Sequence, residues 1–287
     1  MKTLLAAVDL EAGSRRVVQR AVALASSLGA ELHLIHVIDE AMVLYEPMIE
    51  ISVRRRLKQG AEQAMAALLE GLPLAQVPQL KRHVVLGKPD LTLARKASEL
   101  KAELVIAGQH HLEPMQELFL GTTVERLLRH CTMPVLVVAS DQDEPYQRLV
   151  AATDFSLSSH HALGAALALA PEADISLVHV FEPPALLRFL RQEQPHTDSL
   201  MAHQKQRIEQ EVREEMSHFL QAGERDRVTT RIMTGDIHQQ LTQAVQQTGA
   251  QLLALGYHGR QGLSRLLIGN LAMSFLSAPP CDVLITR

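Results

Sequence analysis

The chain has 287 residues, 47% hydrophobic and 21% charged, with 28 basic against 32 acidic side chains and a net charge of −4. This is the composition of a globular protein, and the length suits one large domain or two ordinary ones, each able to bury a core. The acidic balance argues against a nucleic-acid-binding protein, which usually shows a basic face, and aromatics at 3% without Trp offer no stacking platform for single strands. No segment is apolar for long enough to span a bilayer, and the chain leads straight into a strand, so no membrane partner and a cytoplasmic location are expected. Cys131 and Cys281 are too few for a disulfide framework, fit a reducing compartment, and are expected as small buried hydrophobes.

Taken in order, the strand-like segments occur twice. Leu4–Asp9 returns as Leu149–Asp154, and Glu31–Val37 as Asp174–Val180. Val84–Gly87 returns as Arg231–Gly235, Glu103–Gly108 as Gln251–Gly256, and Pro134–Val138 as Asp282–Thr286. Residues 141–145, acidic and ending in Pro145, read as the linker, which gives domains of 1–142 and 143–287. The first carries 16 basic and 16 acidic residues, so the whole acidic excess lies in the second. Helical patterns separate the strands. Arg15–Leu28 is stopped by Gly29, and its copy Ser159–Leu169 by Pro171. Longer helices with polar outer faces are expected over Ile49–Leu72 and Asp198–Ala222, and shorter ones over Pro89–Leu100 and Ile237–Gln247, with Asp90 and Asp236 placed for the first turn. Alternating strands and helices argue for parallel sheets wound on both faces, and near-continuous apolar runs such as Val135–Val138 agree.

One stretch organises the second half. The apolar run Ala250–Leu255 reads as a buried strand, Gly256 and Gly259 follow, and Gly269-Asn270 opens a helix reaching Ala278. Glycines let a loop turn sharply and expose its N–H groups, and a helix start presents unpaired donors and partial positive charge, so the arrangement suits a phosphate. It is neither the Walker pattern nor the dinucleotide fingerprint. Ligands of doubly wound sheets bind at the carboxyl ends of the strands where the winding reverses. That brings together Ala152, Thr153 and Asp154, the end of the next strand at Val180, the glycine loop after Leu255, and the helix start. Asp154 also reads as a helix-cap or turn residue.

Glycine, two residues, glycine, nine residues, glycine and a small polar residue, with Gly259-Arg260-Gln261-Gly262 inside, resembles the ATP-binding signature of the universal stress protein family. The family pattern ends in Ser or Thr; here it ends in Asn270. The resemblance covers nearly the whole chain. It implies two tandem doubly wound, five-stranded parallel-sheet domains of the Rossmann-like, adenine nucleotide alpha hydrolase-like α/β class. It implies that Asp154 and Val180, beside Ala152, Thr153 and Leu255, hold adenine and ribose. Gly256, Gly259, Gly269, Asn270, Leu271 and Ala272 would hold ribose and phosphates of ATP, ADP or AMP, with or without magnesium. In the first half the loop reads Gly108-Gln109-His110-His111, then nine residues, then Gly121-Thr122-Thr123. His111 replaces the second glycine, so poor or absent nucleotide binding is expected there. Pairing through the last strands would make the two domains an internal pseudo-dimer, and chains could pair further as a homodimer.

Other chemistry has less support. The 14 histidines include no His-Glu-x-x-His, no Cys-x-x-Cys accompanies them, and His33 and His36 face opposite sides of a strand, so no metal site is expected. No catalytic residue stands out. The resemblance implies a stress-response regulator, with slow ATP hydrolysis or autophosphorylation as the enzymatic alternative. The other alternative is an interaction protein without nucleotide. Its apolar loops, Ile38–Ile51 and Phe181–Leu190, would hold an apolar ligand or a protein partner.

Overall fold

A computed structural model describes the chain except residues 12, 42–50, 110–122, 182–205, 213, 215–219, 221 and 259–268. The first half runs β1 (Thr3–Ala7), α1 (Ser14–Leu28), β2 (Glu31–Asp39), α2 (Ile51–Leu69), β3 (Gln79–Gly87), α3 (Pro89–Glu99), β4 (Leu104–Gly108), α4 (Thr123–His130) and β5 (Val135–Val138). The second runs β6 (Arg148–Ala152), α5 (Leu157–Leu169), β7 (Asp174–Phe181), α6 (Ala222–Arg225), β8 (Val228–Thr234), α7 (Ile237–Thr248), β9 (Leu252–Gly256), α8 (Asn270–Ser277) and β10 (Asp282–Thr286). Within each half all strand pairs are parallel, and each winding reverses beside its first strand, between β1 and β4 and between β6 and β9.

The halves join edge to edge. β5 and β10 pair antiparallel, with Val137 opposite Val283 and Val135 opposite Ile285, so ten strands form one sheet in the order β3-β2-β1-β4-β5-β10-β9-β6-β7-β8. The pairing of the two halves through their last strands is thus internal to the chain. A parallel strand covered on both faces needs apolar side chains at every position. β1 shows this: Leu4 and Ala6 enter one core layer with Val18 and Ala21 of α1, and Leu5 enters the other with Leu127 of α4.

Local chemistry sets the ends. Gly29 closes α1 at φ 60°, its N–H reaching the carbonyls of Ala25 and Ser26, a left-handed cap that glycine adopts without a Cβ penalty. Ser156 caps α5 by accepting from Ser159 N, so this helix starts at Leu157, ahead of the expected Ser159. Asp236 likewise caps α7, accepting from Gln239 N at 2.9 Å. Two expectations need correction. β3 begins at Gln79 and not at Val84, because it is an edge strand whose Gln79, Lys81 and Arg82 are exposed and break the apolar pattern. Of the helix expected over Asp198–Ala222, residues 206–212 and 214 are described and helical, whereas Leu220 lies in a bend and Ala222 opens the separate α6.

A buried polar cluster locks the seam. Arg20 of α1 and Asp282 of β10, 1% and 0% exposed, form an ion pair at 3.2 Å. The Asp282 carboxylate also accepts from Ala139 N, Ser140 N and Tyr146 Oη at 2.9, 2.8 and 2.7 Å. The Arg20 guanidinium donates to the carbonyls of Gln142 and Glu144 and lies 4.3 Å over the Tyr146 ring. Burial, and then the Asp282 charge, push the Tyr146 hydroxyl well above its ordinary range. Helix α1, β10 and the segment 139–146 that includes the linker are thus tied together through one ion pair. Cys131 and Cys281 are buried, free thiols; burial raises both, Cys281 to about 12, so neither is a ready nucleophile.

Candidate functional site

The carboxyl ends of β6 and β9 flank the point where the second half's winding reverses. β6 delivers Ala152, Thr153 and Asp154 to that edge. Thr153 N donates to Val178 O of β7 at 2.9 Å, and its hydroxyl lies 3.3 Å from Ser159 Oγ. Asp154 Oδ1 accepts from Ser156 N at 3.0 Å, so Asp154 is a turn residue leading into α5 as well as a residue of the edge. Val180 stands half-buried near the end of β7.

Gly256 ends β9 at a close approach to the next helix start. A Cβ there would lie 3.0 Å from the backbone of Ser158 and Ser159 at the start of α5. Ser158 Oγ donates to Thr286 O at 2.9 Å, and Thr286 Oγ1 to Ser158 O at 3.1 Å, so β10 is laced to the same turn. Gly269 is the N-cap of α8 and donates to Tyr257 O at 2.9 Å, holding the helix start against the end of β9. Asn270 is exposed at the first position of α8, whereas Leu271 packs on the core and Ala272 is buried in it. The Leu255 side chain is also buried in the core, which leaves its backbone for the edge. Gly259 lies outside the described residues, as do most of the two apolar loops. Asp154, Gly256, Gly269 and Asn270 therefore come to one end of the sheet, brought there by the reversal of winding and by the turn at Ser156–Ser159.

Two features of this edge escaped the sequence reading. His179 Nδ1 lies 2.8 Å from Thr153 O, and His36 Nδ1 lies 2.9 Å from Val8 O, so each half anchors its first strand end to a histidine of its second strand. The signal was present, since both histidines occupy the same place in the repeated segments. The residue after each aspartate is left-handed, Leu10 at φ 69° and Phe155 at φ 62°. Such backbone costs of order 1–3 kcal/mol, and only surrounding structure maintains it.

The first half builds the same edge, and its described residues line an open cavity of about 780 Å³ there. Asp9 Oδ1 accepts from Ser14 Oγ at 2.6 Å and Glu11 N at 3.0 Å. Gly108 occupies the place of Gly256, with a Cβ there 3.0 Å from Val17 Cγ2. Thr123 opens α4 and lines the cavity. His111, Gly121 and Thr122 lie outside the described residues. Among the described residues no cluster of three or more His, Cys, Asp or Glu side chains could hold a metal, and no helix is long and apolar enough to cross a membrane.

The universal stress protein family model matches residues 1–139 and again 145–287. The chain belongs to the universal stress protein family. It carries two family domains in tandem, each doubly wound around a parallel sheet. Universal stress protein A homolog 1 of Coxiella burnetii is 32% identical over 138 residues, 48% of this chain and 95% of that relative. A universal stress protein of Thermus aquaticus is 31% identical over 138 residues, 48% of this chain and 98% of its own. The crystal structure of a universal stress protein from Archaeoglobus fulgidus DSM 4304 superposes on 99% of this chain and 98% of its own, with a TM-score of 0.70 at 17% identity. A functionally unknown protein from Pseudomonas aeruginosa PAO1 covers 100% of this chain and 92% of its own at a TM-score of 0.64 and 19% identity. At those identities the two structures speak for the shared fold, including its tandem arrangement.

Proposed function

We propose that the second half of this universal stress protein binds ATP or a related adenine nucleotide and serves as the regulatory site of a stress-response protein. The observation that carries this reading is the convergence at one sheet end of Asp154, the tightly packed Gly256, and the α8 start at Gly269-Asn270. Asp154 would accept from ribose or adenine. The loop after Gly256 and the N–H groups of the first turn of α8, beyond Gly269 N that is given to Tyr257 O, would take the phosphates, since N–H groups at a helix start lack intrahelical partners. Occupancy would tie α5, β9 and α8 together and so change the surface shown to a partner. The binding site belongs to the cytoplasmic protein as a regulator, without a catalytic residue.

The test is to denature the purified chain by heat, identify what it releases by chromatography, and titrate ATP into the stripped protein. About one adenine nucleotide per chain is expected, with ATP raising the melting temperature because a ligand of the native state stabilises it. Asp154→Ala and Gly269→Val should each weaken ATP binding by tenfold or more, about 1.4 kcal/mol, while Asp9→Ala leaves it unchanged. Two nucleotides per chain would refute the expectation for the first half. No release and no binding would refute the nucleotide reading as a whole.

A further inference from the structure

Helix α8 is held to the first half at both ends. At its start, Gly269 N donates to Tyr257 O at 2.9 Å, and the Tyr257 N–H goes to Thr286 O at 2.6 Å. The Arg287 guanidinium covers the buried Tyr257 ring at 4.6 Å and donates from Nη2 to Arg129 O, in the last turn of α4, at 2.8 Å. Arg287 is itself fixed from α5, its carbonyl oxygen lying 2.6 Å from His161 Nδ1. At the far end of α8, Ser277 O accepts from Gln109 Nε2 at 3.3 Å.

The repeat makes this wiring reciprocal. Gln109 and Tyr257 each follow the glycine that ends the fourth strand of its half, and each gives its N–H to the last strand of that half, at Val138 O and Thr286 O. Across the seam, Gln109 reaches the end of α8, and Tyr257, through Arg287, reaches the end of α4. The last carbonyls of a helix lack intrahelical partners and carry partial negative charge, so an amide and a guanidinium suit them. α8 has 8 residues, about 12 Å of helix. A helix that short is marginal without its surroundings. Its placement is therefore set by its buried face, Ala272, Phe275 and Leu276, and by what grips its ends. Such an end has two states, capped and frayed.

We propose that the first half regulates the nucleotide site of the second half through α8, with Gln109 and Arg287 as the positioning residues. The inference rests on the nucleotide reading of that site. A phosphate at Gly269-Asn270 needs α8 formed and set against Tyr257. The capped state supplies this, whereas the frayed state must first be ordered, so ATP binds the capped state more tightly and shifts the chain towards it. Coupling of this kind is reciprocal: ATP closes the end of α4 by the same factor by which loosening the seam contacts weakens ATP. A partner that draws Gln109 or the α4 end out of the seam thereby releases the nucleotide.

The test is hydrogen exchange of the full chain with and without ATP, beside isothermal titration of ATP. At saturating ATP, exchange in α4, residues 123–130, should slow about fivefold, the low end of ordinary coupling between sites. The double variant Gln109→Leu, Arg287→Met should bind ATP weaker by that same factor of about five. Its α4 should show no ATP-dependent change, while α8 still gains protection. Arg287→Lys alone, which keeps a cation for the end of α4, should retain both effects. A purely structural role would speed exchange equally with and without ATP and leave the ATP-dependent difference in α4 intact. Protection confined to the second half of the wild type, or persisting in α4 of the double variant, would overturn the coupling and leave the nucleotide reading in place. No ATP binding by the wild type would overturn both. The wild-type comparison needs no variant, so it decides the question even where the double variant does not fold.

Discussion

At the carboxyl edge of the first half, Gly108 closes on the end of the Val17 side chain; at the same edge of the second, Gly256 closes on the backbone of Ser158 and Ser159. Asp9 is held by Ser14 from inside α1, whereas Asp154 turns on Ser156, the residue capping α5. Both halves keep the left-handed residue after the aspartate and the histidine that anchors the first strand end. The shared scaffold is therefore conserved within the molecule down to backbone conformation, while the lining differs. A single side-chain methyl against one glycine and backbone against the other means that the second edge tolerates less. Duplication supplied two equivalent positions, and the packing around each determines what it can hold.

The comparison is broken most forcefully by removing what makes the halves one sheet. Asp282→Ala leaves the Arg20 guanidinium buried without its carboxylate and strips partners from Ala139 N, Ser140 N and Tyr146 Oη. Deleting one partner of a buried ion pair costs about 3–5 kcal/mol. Urea denaturation should show a loss of that size, and hydrogen exchange should show β5 and β10 opening first. A loss within about 0.5 kcal/mol, the range of ordinary surface substitutions, would mean that the strand pairing alone holds the seam.

A smaller effect sharpens the contrast between the glycines. Gly256→Ala forces a Cβ against backbone at 3.0 Å, and overpacking of that kind costs about 1–3 kcal/mol. Gly108→Ala meets one methyl of the buried Val17 side chain at 3.0 Å, a single side-chain contact where Gly256 faces backbone. Thermal denaturation should therefore rank Gly256→Ala as clearly the more damaging. Equal losses would show that both edges are built to the same tolerance and that the asymmetry argued from Ser158 has no energetic content.

Much of this was legible in the sequence. The ten strands, their order and the duplication could be read because parallel strands covered on both faces show as apolar runs such as Val135–Val138. The convergence of Asp154, Gly256 and Gly269 followed from topology. The polar start of β3 was not legible, since an edge strand with Gln79, Lys81 and Arg82 facing water has no apolar signature. The pairing of the last strands was expected from the resemblance, but the polar cluster that locks it was not, since Arg20 and its partner Asp282 lie at opposite ends of the chain.

The smallest expected effect separates the halves by pH. His33 Nδ1 lies 2.8 Å from His83 Nε2, and His33 Nε2 lies 2.9 Å from Glu31, itself paired with Lys81 at 2.5 Å. Two ring nitrogens in such contact share one proton, so protonating both rings breaks the bond between them. Desolvation, first, lowers the pKa of both histidines below the usual value; the positive charges of Lys81 on both and of Lys96 on His83 add to it, and Glu31 opposes it at His33. The unfolded chain therefore binds more protons just below about pH 6.5, where a free histidine titrates. Stability from this pair is full above that pH and is lost as the pH falls through the depressed native values. In the second half Ser176 occupies the position of His33 and Arg231 that of His83, so the equivalent place holds no histidine pair. Melting temperatures measured from pH 7 down to about 5 should fall in the wild type and fall less in His83→Gln, which keeps a hydrogen-bonding side chain but cannot titrate in this range. Equal slopes would place the acid sensitivity elsewhere and leave β2 and β3 no more pH-dependent than β7 and β8.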